Sequence, residues 1–128
     1  PEAVAFVLRV EAIVAAVGGG QVFVPRLPAY EMDDLREAGW PSYHWKTIGV
    51  RPGEKLHESM ISPDEGRTAW EWVEGWALVA EPTTYLAPSP PPGAVPATEG
   101  VRRHGYSSDA ADRFLHVHEL RERLDAIN

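Results

Sequence analysis

The sequence has 128 residues, of which 44% are hydrophobic and 24% are charged, and its formal net charge at pH 7 is -7. A chain of this length can bury one modest hydrophobic core. It contains no cysteine, which excludes disulfides, thiolate metal sites and cysteine nucleophiles. The acidic balance argues against a nucleic-acid partner, because a phosphate backbone requires a basic face. We therefore expect a cytoplasmic globular protein.

No hydrophobic run approaches the 18 residues or so that a membrane span needs, since Arg9 and Glu11 interrupt the longest one. The first ten residues lack the basic and apolar regions of a secretory signal. The first residue is Pro1 rather than Met, so we expect the chain to have been processed or cut from something longer.

The first third of the chain predicts helix, strand and helix in that order. Glu2–Val17 has the apolar spacing of a helix, and the glycines 18–20 end it. Gln21–Val24 is typical of a short buried strand, stopped by the prolines that follow. Tyr30–Ala38 predicts a second helix, with acidic residues in its early turns and Gly39 after its end.

The middle of the chain predicts two further strands around a turn. His44–Val50 indicates a strand, Pro52-Gly53 a turn and Glu54–Met60 a short helix. Ser62–Gly66 indicates a turn or a helix start, and Trp76–Ala80 a third strand. The alternation of helices and strands predicts an α/β fold in which residues 1–128 form a single domain.

The last third is rich in proline before a final helix. Residues 82–100 contain six prolines, which predict an extended loop. Tyr106–Asp109 is typical of a tight turn. His116–Ile127 predicts an amphipathic helix, whose apolar face consists of Val117, Leu120, Leu124 and Ile127.

The turn Arg51-Pro52-Gly53-Glu54 is the sharpest candidate for a binding site. A guanidinium at such a turn can hold a pyrophosphate through two parallel hydrogen bonds, and a carboxylate three residues later can accept from ribose hydroxyls. The alternative is an ordinary surface turn with an Arg–Glu ion pair, which contributes little to stability. Spacing alone favours this alternative.

Other side chains do not form a recognisable catalytic or metal-binding pattern. The five histidines lack H-E-x-x-H, and the pair His116-x-His118 diverges at a helix start, so we expect no metal site. The acidic clusters do not match a calcium loop. The five tryptophans could stack on a base or a sugar, but packing in a core or an interface is the more common role.

Cofactor and catalytic motifs are also missing from the sequence. No G-x-G-x-x-G fingerprint occurs, and the glycines 18–20 follow a predicted helix rather than a strand. Neither Lys46 nor Lys55 lies four residues after a tyrosine, so a Tyr-x-x-x-Lys pair is impossible. No Ser-His-Asp or G-x-S-x-G arrangement is present. We therefore predict no catalytic and no cofactor-binding residue on this chain.

The run Ile48–Glu58 (I-G-V-R-P-G-E-K-L-H-E) carries a family resemblance. With it, the chain resembles the C-terminal part of nucleotide-sugar 4,6-dehydratases and epimerases of polysaccharide biosynthesis, of the UDP-N-acetylglucosamine 4,6-dehydratase type. These are extended short-chain dehydrogenase/reductases. The match at Ile48–Glu58 continues through Met60–Ser62. Three further stretches match in the right order, namely Pro1–Val4 leading to Gly20–Pro25, Tyr106–Asp109 and Leu115–Leu124. The resemblance thus spans nearly the whole chain and reverses the preference for an ordinary turn at Arg51.

The resemblance implies a small α/β C-terminal substrate-binding domain whose Rossmann domain is absent. In this family the Rossmann domain binds NAD(P) and carries the Tyr-x-x-x-Lys pair, and the C-terminal part closes over the nucleotide-sugar. Arg51 would hold the phosphates of a UDP-sugar, and Glu54 would hold its ribose. In the complete enzyme C4 of the sugar is oxidised, water is lost across C5 and C6, and hydride returns at C6. The chain alone should be catalytically silent.

Partners follow from the same resemblance: a UDP-sugar, a Rossmann domain or subunit, and further copies in a homo-oligomer. Acidic residues at 30–34, extra prolines at 88–93 and His116 at a capping position depart from the family, and they leave the sugar undetermined. The alternative is a non-enzymatic interaction module or split subunit that docks onto a separate Rossmann subunit. Its first helix and the tryptophans at 70–76 would then form the interface.

Overall fold

The computed structural model describes residues 2–80 and 88–127. These ranges contain both helices and strands, which confirms the predicted mixed α/β class, although three strands follow one another between residues 69 and 96 with no helix among the described residues there. The helices are α1 (Glu2–Val17), α2 (Met32–Gly39), α3 (Pro63–Gly66), α4 (Glu99–His104) and α5 (Val117–Asp125). The strands are β1 (Gln21–Pro25), β2 (Ala29–Tyr30), β3 (Ser59–Ile61), β4 (Ala69–Trp72), β5 (Gly75–Val79), β6 (Val95–Pro96), β7 (Tyr106–Ser107) and β8 (Phe114–Leu115). No helix in the described ranges has the length and apolarity needed to cross a membrane.

The chain divides into two compact units, Pro1–Arg26 with Ser59–Tyr106 and Leu27–Glu58 with Ser107–Asn128. The first unit is built on a four-stranded antiparallel sheet in the order β1-β5-β4-β6. Strands β4 and β5 form a hairpin in which Trp72 pairs with Gly75. A single domain over residues 1–128 stays a prediction.

The core of the first unit lies against this sheet. Ile61 is completely buried and Trp76 is 2% exposed. The rings of Trp76 and Tyr106 lie 4.3 Å apart between centroids, and aromatic pairs at such distances stabilise beyond the area they bury. Helices α3 and α4 pack closely because Gly66 has no side chain, since a Cβ there would overlap the carbonyl oxygen of Val101.

Helix α1 begins and ends where the sequence predicts, at Glu2 and Val17. Its Phe6 ring contacts that of Trp72, with centroids 6.1 Å apart, and Arg9 forms an ion pair with Glu74. None of its residues is fully buried, although its composition is strongly apolar. Its most exposed large side chains are Val4, Val7 and Leu8, each about 60% exposed.

The second unit is held together by the packing of α2 on α5. Its core consists of Ala38, Leu115 and Leu120. The short strands β2 and β8 run parallel beside it. The predicted amphipathic face of the last helix is confirmed in part, because Leu120 is buried and Leu124 packs on the core, whereas Ile127 is 82% exposed and lies beyond the helix end.

Two predicted elements are wrong. Residues 44–50 do not form the predicted strand. The predicted helix Glu54–Met60 is also absent, because residues 54–58 are not helical and residues 59–60 belong to β3. A strand needs a partner for its backbone groups, and an isolated helix of seven residues lacks the length to be stable. Strand β4 was not predicted. Its alternation of small or polar residues with Trp70 and Trp72 is the signal that identifies it.

The predicted proline-rich loop is shorter than residues 82–100. Its positions 82–87 lie outside the described residues. Residues 88–94 contain no helix or strand, as predicted, but Val95–Pro96 form β6 and α4 begins at Glu99. Strand β6 lies at the sheet edge beside β4, where proline is tolerated because it is not required to donate a ladder hydrogen bond.

Candidate functional site

The predicted turn at Pro52-Gly53 is present in the second unit. The Glu54 N–H donates to the carbonyl oxygen of Arg51 at 3.0 Å, which closes a four-residue turn. Gly53 has φ +84° and follows proline, the pattern of a type II turn. Because residues with a Cβ avoid this φ, the Pro-Gly pair defines the position of the residues on either side of it.

The Glu54 carboxylate turns back onto the same loop. The Arg51 N–H donates to its Oε2 at 2.9 Å. A carboxylate has two oxygens and about four acceptor sites, so this bond leaves Glu54 able to accept from a ligand hydroxyl. Within residues 2–80 and 88–127 no ion pair joins the Arg51 guanidinium to Glu54, so the exposed surface turn of the predicted alternative is present and its ion pair is not.

The segment 41–58 is exposed along its whole length. It contains no helix or strand, and Gly49 adopts φ +80°, so the backbone changes direction shortly before Arg51. Several of its large apolar side chains face solvent; among them Ile48 is 67%, Val50 60% and Leu56 78% exposed. A guanidinium in such a segment is accessible to a ligand from solution.

Three aromatic residues line a hollow at the start of this segment. Trp40, Tyr43 and Trp45 line an open hollow of about 310 Å³. The two indole rings lie 6.4 Å apart between centroids and are inclined at 58° to each other. The Trp45 Nε1–H donates to the Trp40 carbonyl oxygen at 3.4 Å. Tyr43 was not singled out from the sequence, and Trp40 was considered only as one of five tryptophans expected to pack; the aromatic spacing W-x-x-Y-x-W is the signal that could have found both.

The end of the segment contacts Ser108, which belongs to the same unit. The Ser108 N–H donates to the Glu58 carbonyl oxygen at 2.8 Å, and the Glu58 N–H donates to the Ser108 Oγ at 3.1 Å. The Ser107 hydroxyl donates to the Asp109 carboxylate and lowers the pKa of that carboxyl, with a smaller contribution from the charge of His57. The predicted tight turn is present in part, as β7 followed by a 3-10 turn at Ser108–Ala110.

Among the described residues, no group of three or more His, Asp or Glu side chains could hold a metal ion. His116 lies at the N-terminal cap of α5, where its ring Nδ1 lies 3.3 Å from the Asp34 Oδ2. Trp76 belongs to the core, and Trp70 and Trp72 are half-buried in β4. The prediction that the tryptophans pack is therefore confirmed for these three, whereas Trp40 and Trp45 are 44% and 57% exposed and do not belong to the core.

The glycines 18–20 do not have the structural context of a dinucleotide-binding fingerprint. They connect the end of α1 to the start of β1, so the order is helix, glycines, strand. A dinucleotide fingerprint requires the reverse order, in which the glycines follow a strand and a helix N-terminus faces the pyrophosphate. The glycines of this connection therefore do not form that fingerprint.

Comparison with known proteins identifies the family to which the chain belongs. Residues 1–77 match the model of a family described as polysaccharide biosynthesis protein, and the chain belongs to this family. Two similar relatives are named UDP-N-acetylglucosamine 4,6-dehydratase (inverting), from Campylobacter jejuni subsp. jejuni of serotypes O:2 and O:23/36. They are 42% and 40% identical to this chain over 60 residues. The 60 matched residues make up 47% of this chain and 18% of each relative.

Proposed function

We propose that this chain binds the diphosphate of a UDP-sugar through Arg51, with Glu54 accepting from the ribose. It would serve as the C-terminal, substrate-binding part of an NAD(P)-dependent nucleotide-sugar 4,6-dehydratase or epimerase. The observation that supports this most directly is the exposed Pro52-Gly53 turn, in which the Glu54 carboxylate accepts from the Arg51 backbone N–H and keeps spare acceptor capacity. The family membership and the names of the relatives support the substrate class.

The physical argument rests on the charge and shape of the guanidinium. Its planar group presents parallel N–H donors that match two phosphate oxygens, and it remains charged at every accessible pH. The chain is acidic overall, at -7, so attraction of a dianionic ligand has to come from a local cation rather than from the net charge. Arg51 supplies that cation in the exposed segment 41–58.

The chemistry of the reaction belongs to other parts of the complete enzyme. A nicotinamide cofactor would supply hydride exchange at the sugar, and a Rossmann domain or subunit would bind it. The role of Arg51 and Glu54 is to orient the nucleotide end of the substrate. We therefore expect ligand binding but no turnover from these 128 residues.

Isothermal titration calorimetry with UDP tests the proposal. Hydrogen bonds to charged groups contribute about 1.5–3 kcal/mol, so Arg51→Ala should weaken UDP binding by about 10- to 150-fold. Arg51→Lys retains the charge and loses the two-pronged geometry, so its affinity should lie between those of the wild type and Arg51→Ala.

Arg67→Ala is the matched control, because Arg67 is also highly exposed (73%) but pairs with Asp64. Its affinity for UDP should equal that of the wild type. If Arg51→Ala and Arg67→Ala bind UDP equally well, Arg51 does not hold the phosphates.

A second candidate function is a non-enzymatic module that docks onto a separate Rossmann subunit. Helix α1 favours it, because this apolar helix has no buried residue and exposes Val4, Val7 and Leu8. The tryptophans at 70–76 do not add to such a surface, since Trp76 is buried and the other two are half-buried. Docking would then depend on α1 and leave Arg51 without a role.

Light scattering with a candidate Rossmann subunit separates the two functions. A docking module should form a complex whose mass is the sum of both chains, and Leu8→Glu should abolish this complex. A substrate-binding part should bind UDP whether or not Leu8 is changed. Complex formation that is unaffected by Leu8→Glu would rule out α1 as the docking surface.

A further inference from the structure

The hollow between Trp40, Tyr43 and Trp45 has the properties of a small-ligand site. These side chains are 44%, 69% and 57% exposed. Large aromatic side chains stabilise a fold most when they are buried away from water. Three of them left exposed together therefore contribute little to the stability of this unit. The volume of about 310 Å³ lies at the lower end of the range for ligand pockets, and such pockets are mostly apolar and aromatic.

The geometry of the rings indicates a flat occupant. The indoles of Trp40 and Trp45 are inclined at 58° with centroids 6.4 Å apart, so they form an open wedge rather than a closed stack. The bond from the Trp45 Nε1–H to the Trp40 carbonyl oxygen helps to hold this orientation. The backbone bond from the Tyr43 N–H to the same oxygen, at 3.3 Å, closes the loop that presents the third ring. A planar ring can lie against a wall of such a wedge.

We propose that this wedge stacks on the pyrimidine base of the nucleotide whose diphosphate Arg51 holds. This inference rests on the proposed function for the identity of the ligand. Bases stack on aromatic side chains through their π faces, and this interaction does not depend on sequence-specific hydrogen bonds. The wedge would therefore contribute affinity for the base, while Glu54 and Arg51 contact the ribose and the phosphates.

The distance between the aromatic wedge and Arg51 is compatible with the length of one nucleotide. Six residue steps lead from Trp45 to Arg51, so their Cα atoms lie at most about 22 Å apart even if this stretch is fully extended. Gly49, at φ +80°, breaks the extended path and shortens this distance. Base and diphosphate are the two ends of a nucleoside diphosphate, and the wedge and the turn are separate features of one continuous segment.

Proton NMR of uridine tests the stacking without using the phosphates. With millimolar uridine, the H5 and H6 resonances of the base should move upfield in the presence of the wild type, since ring currents shield protons above an aromatic face. The shifts should persist with Arg51→Ala and disappear with Trp45→Ala. Absence of a shift with the wild type would overturn the stacking, whatever the result for Arg51.

Calorimetry then measures the contribution of the wedge. Trp45→Ala should weaken UDP binding by about 5- to 150-fold, and Trp45→Phe by less, because phenylalanine keeps a π face. Inorganic pyrophosphate should bind with the same affinity to the wild type and to Trp45→Ala. Tyr30→Ala serves as control, because it removes another aromatic residue of the same unit with a similar exposure of 47%.

The outcomes separate the two proposals. UDP binding that depends on Arg51 but not on Trp45 would refute the stacking and leave the proposed function standing. Equal loss of UDP and pyrophosphate binding in Trp45→Ala would show that Trp45 only maintains the loop, which also refutes the stacking. If the upfield NMR shifts of uridine depend on Trp45 but the affinity for UDP is unchanged in Arg51→Ala, only the contact between Arg51 and the diphosphate is refuted.

Discussion

Replacement of Gly105 by alanine should destabilise the first unit more than replacement of any exposed glycine. Gly105 ends α4 with φ +75° and ψ -159°, a conformation that is nearly restricted to glycine. A Cβ at this position would overlap the carbonyl oxygen of Ile61, whose side chain is completely buried. Neither the cap nor Ile61 can move without disturbing the core.

The magnitude follows from three contributions. The backbone conformation costs alanine about 1–3 kcal/mol, and the overlap with Ile61 requires a backbone shift that costs about 1–3 kcal/mol more. The lower entropy of the unfolded alanine chain offsets about 0.4–1 kcal/mol of this. We therefore expect Gly105→Ala to lower the free energy of unfolding by about 2–5 kcal/mol, a large share of the 5–15 kcal/mol typical of a domain.

Gly93→Ala is the matched control, because Gly93 also has φ +76° but a Cβ there meets nothing within 4 Å. Only the conformational cost of about 1–2 kcal/mol applies, offset by the same entropy difference. Urea unfolding followed by tryptophan fluorescence measures both variants, since Trp76 packs on Tyr106 next to Gly105. Equal losses in Gly105→Ala and Gly93→Ala would refute the close approach to Ile61.

Two further predictions concern carboxylates at helix starts. The Ser62 hydroxyl and backbone N–H donate to the Glu65 carboxylate at 2.7 and 2.8 Å, and these bonds hold the pKa of Glu65 below its ordinary value of 4.5. Ser62→Ala should therefore raise the pKa of Glu65, which an NMR titration measures. Because it also removes the N-terminal cap, Ser62→Ala should destabilise α3 by about 1 kcal/mol. Arg113, together with the His116 N–H, lowers the pKa of Glu119. A lowered carboxyl pKa contributes stability above the unfolded pKa, and this stability is lost as the pH falls through the folded pKa. Below about pH 4.3, the free energy of unfolding of Glu119→Gln should accordingly depend less on pH than that of the wild type. Identical acid-unfolding profiles of the variant and the wild type would contradict this.

The sequence determined the elements whose stability is largely local. Helix α1 is long, rich in good helix formers and followed by glycines, so its bounds could be predicted without knowledge of any partner. The turn at Pro52-Gly53 depends only on the dihedral preferences of its two residues. The family was likewise recognisable from residues that are neighbours in the sequence, above all Ile48–Glu58.

Tertiary structure decided the elements that need a partner. Residues 44–50 have the composition of a strand, but both of their faces are exposed and Gly49 takes φ +80°, so no ladder forms. Strand β4 exists because β5 and β6 satisfy its backbone on both edges. Trp40 and Tyr43 were not predicted as site residues for a different reason, since the contacts that bring them together are local. Their proximity to Trp45 depends on how the loop closes on the Trp40 carbonyl oxygen, and composition alone does not encode that closure.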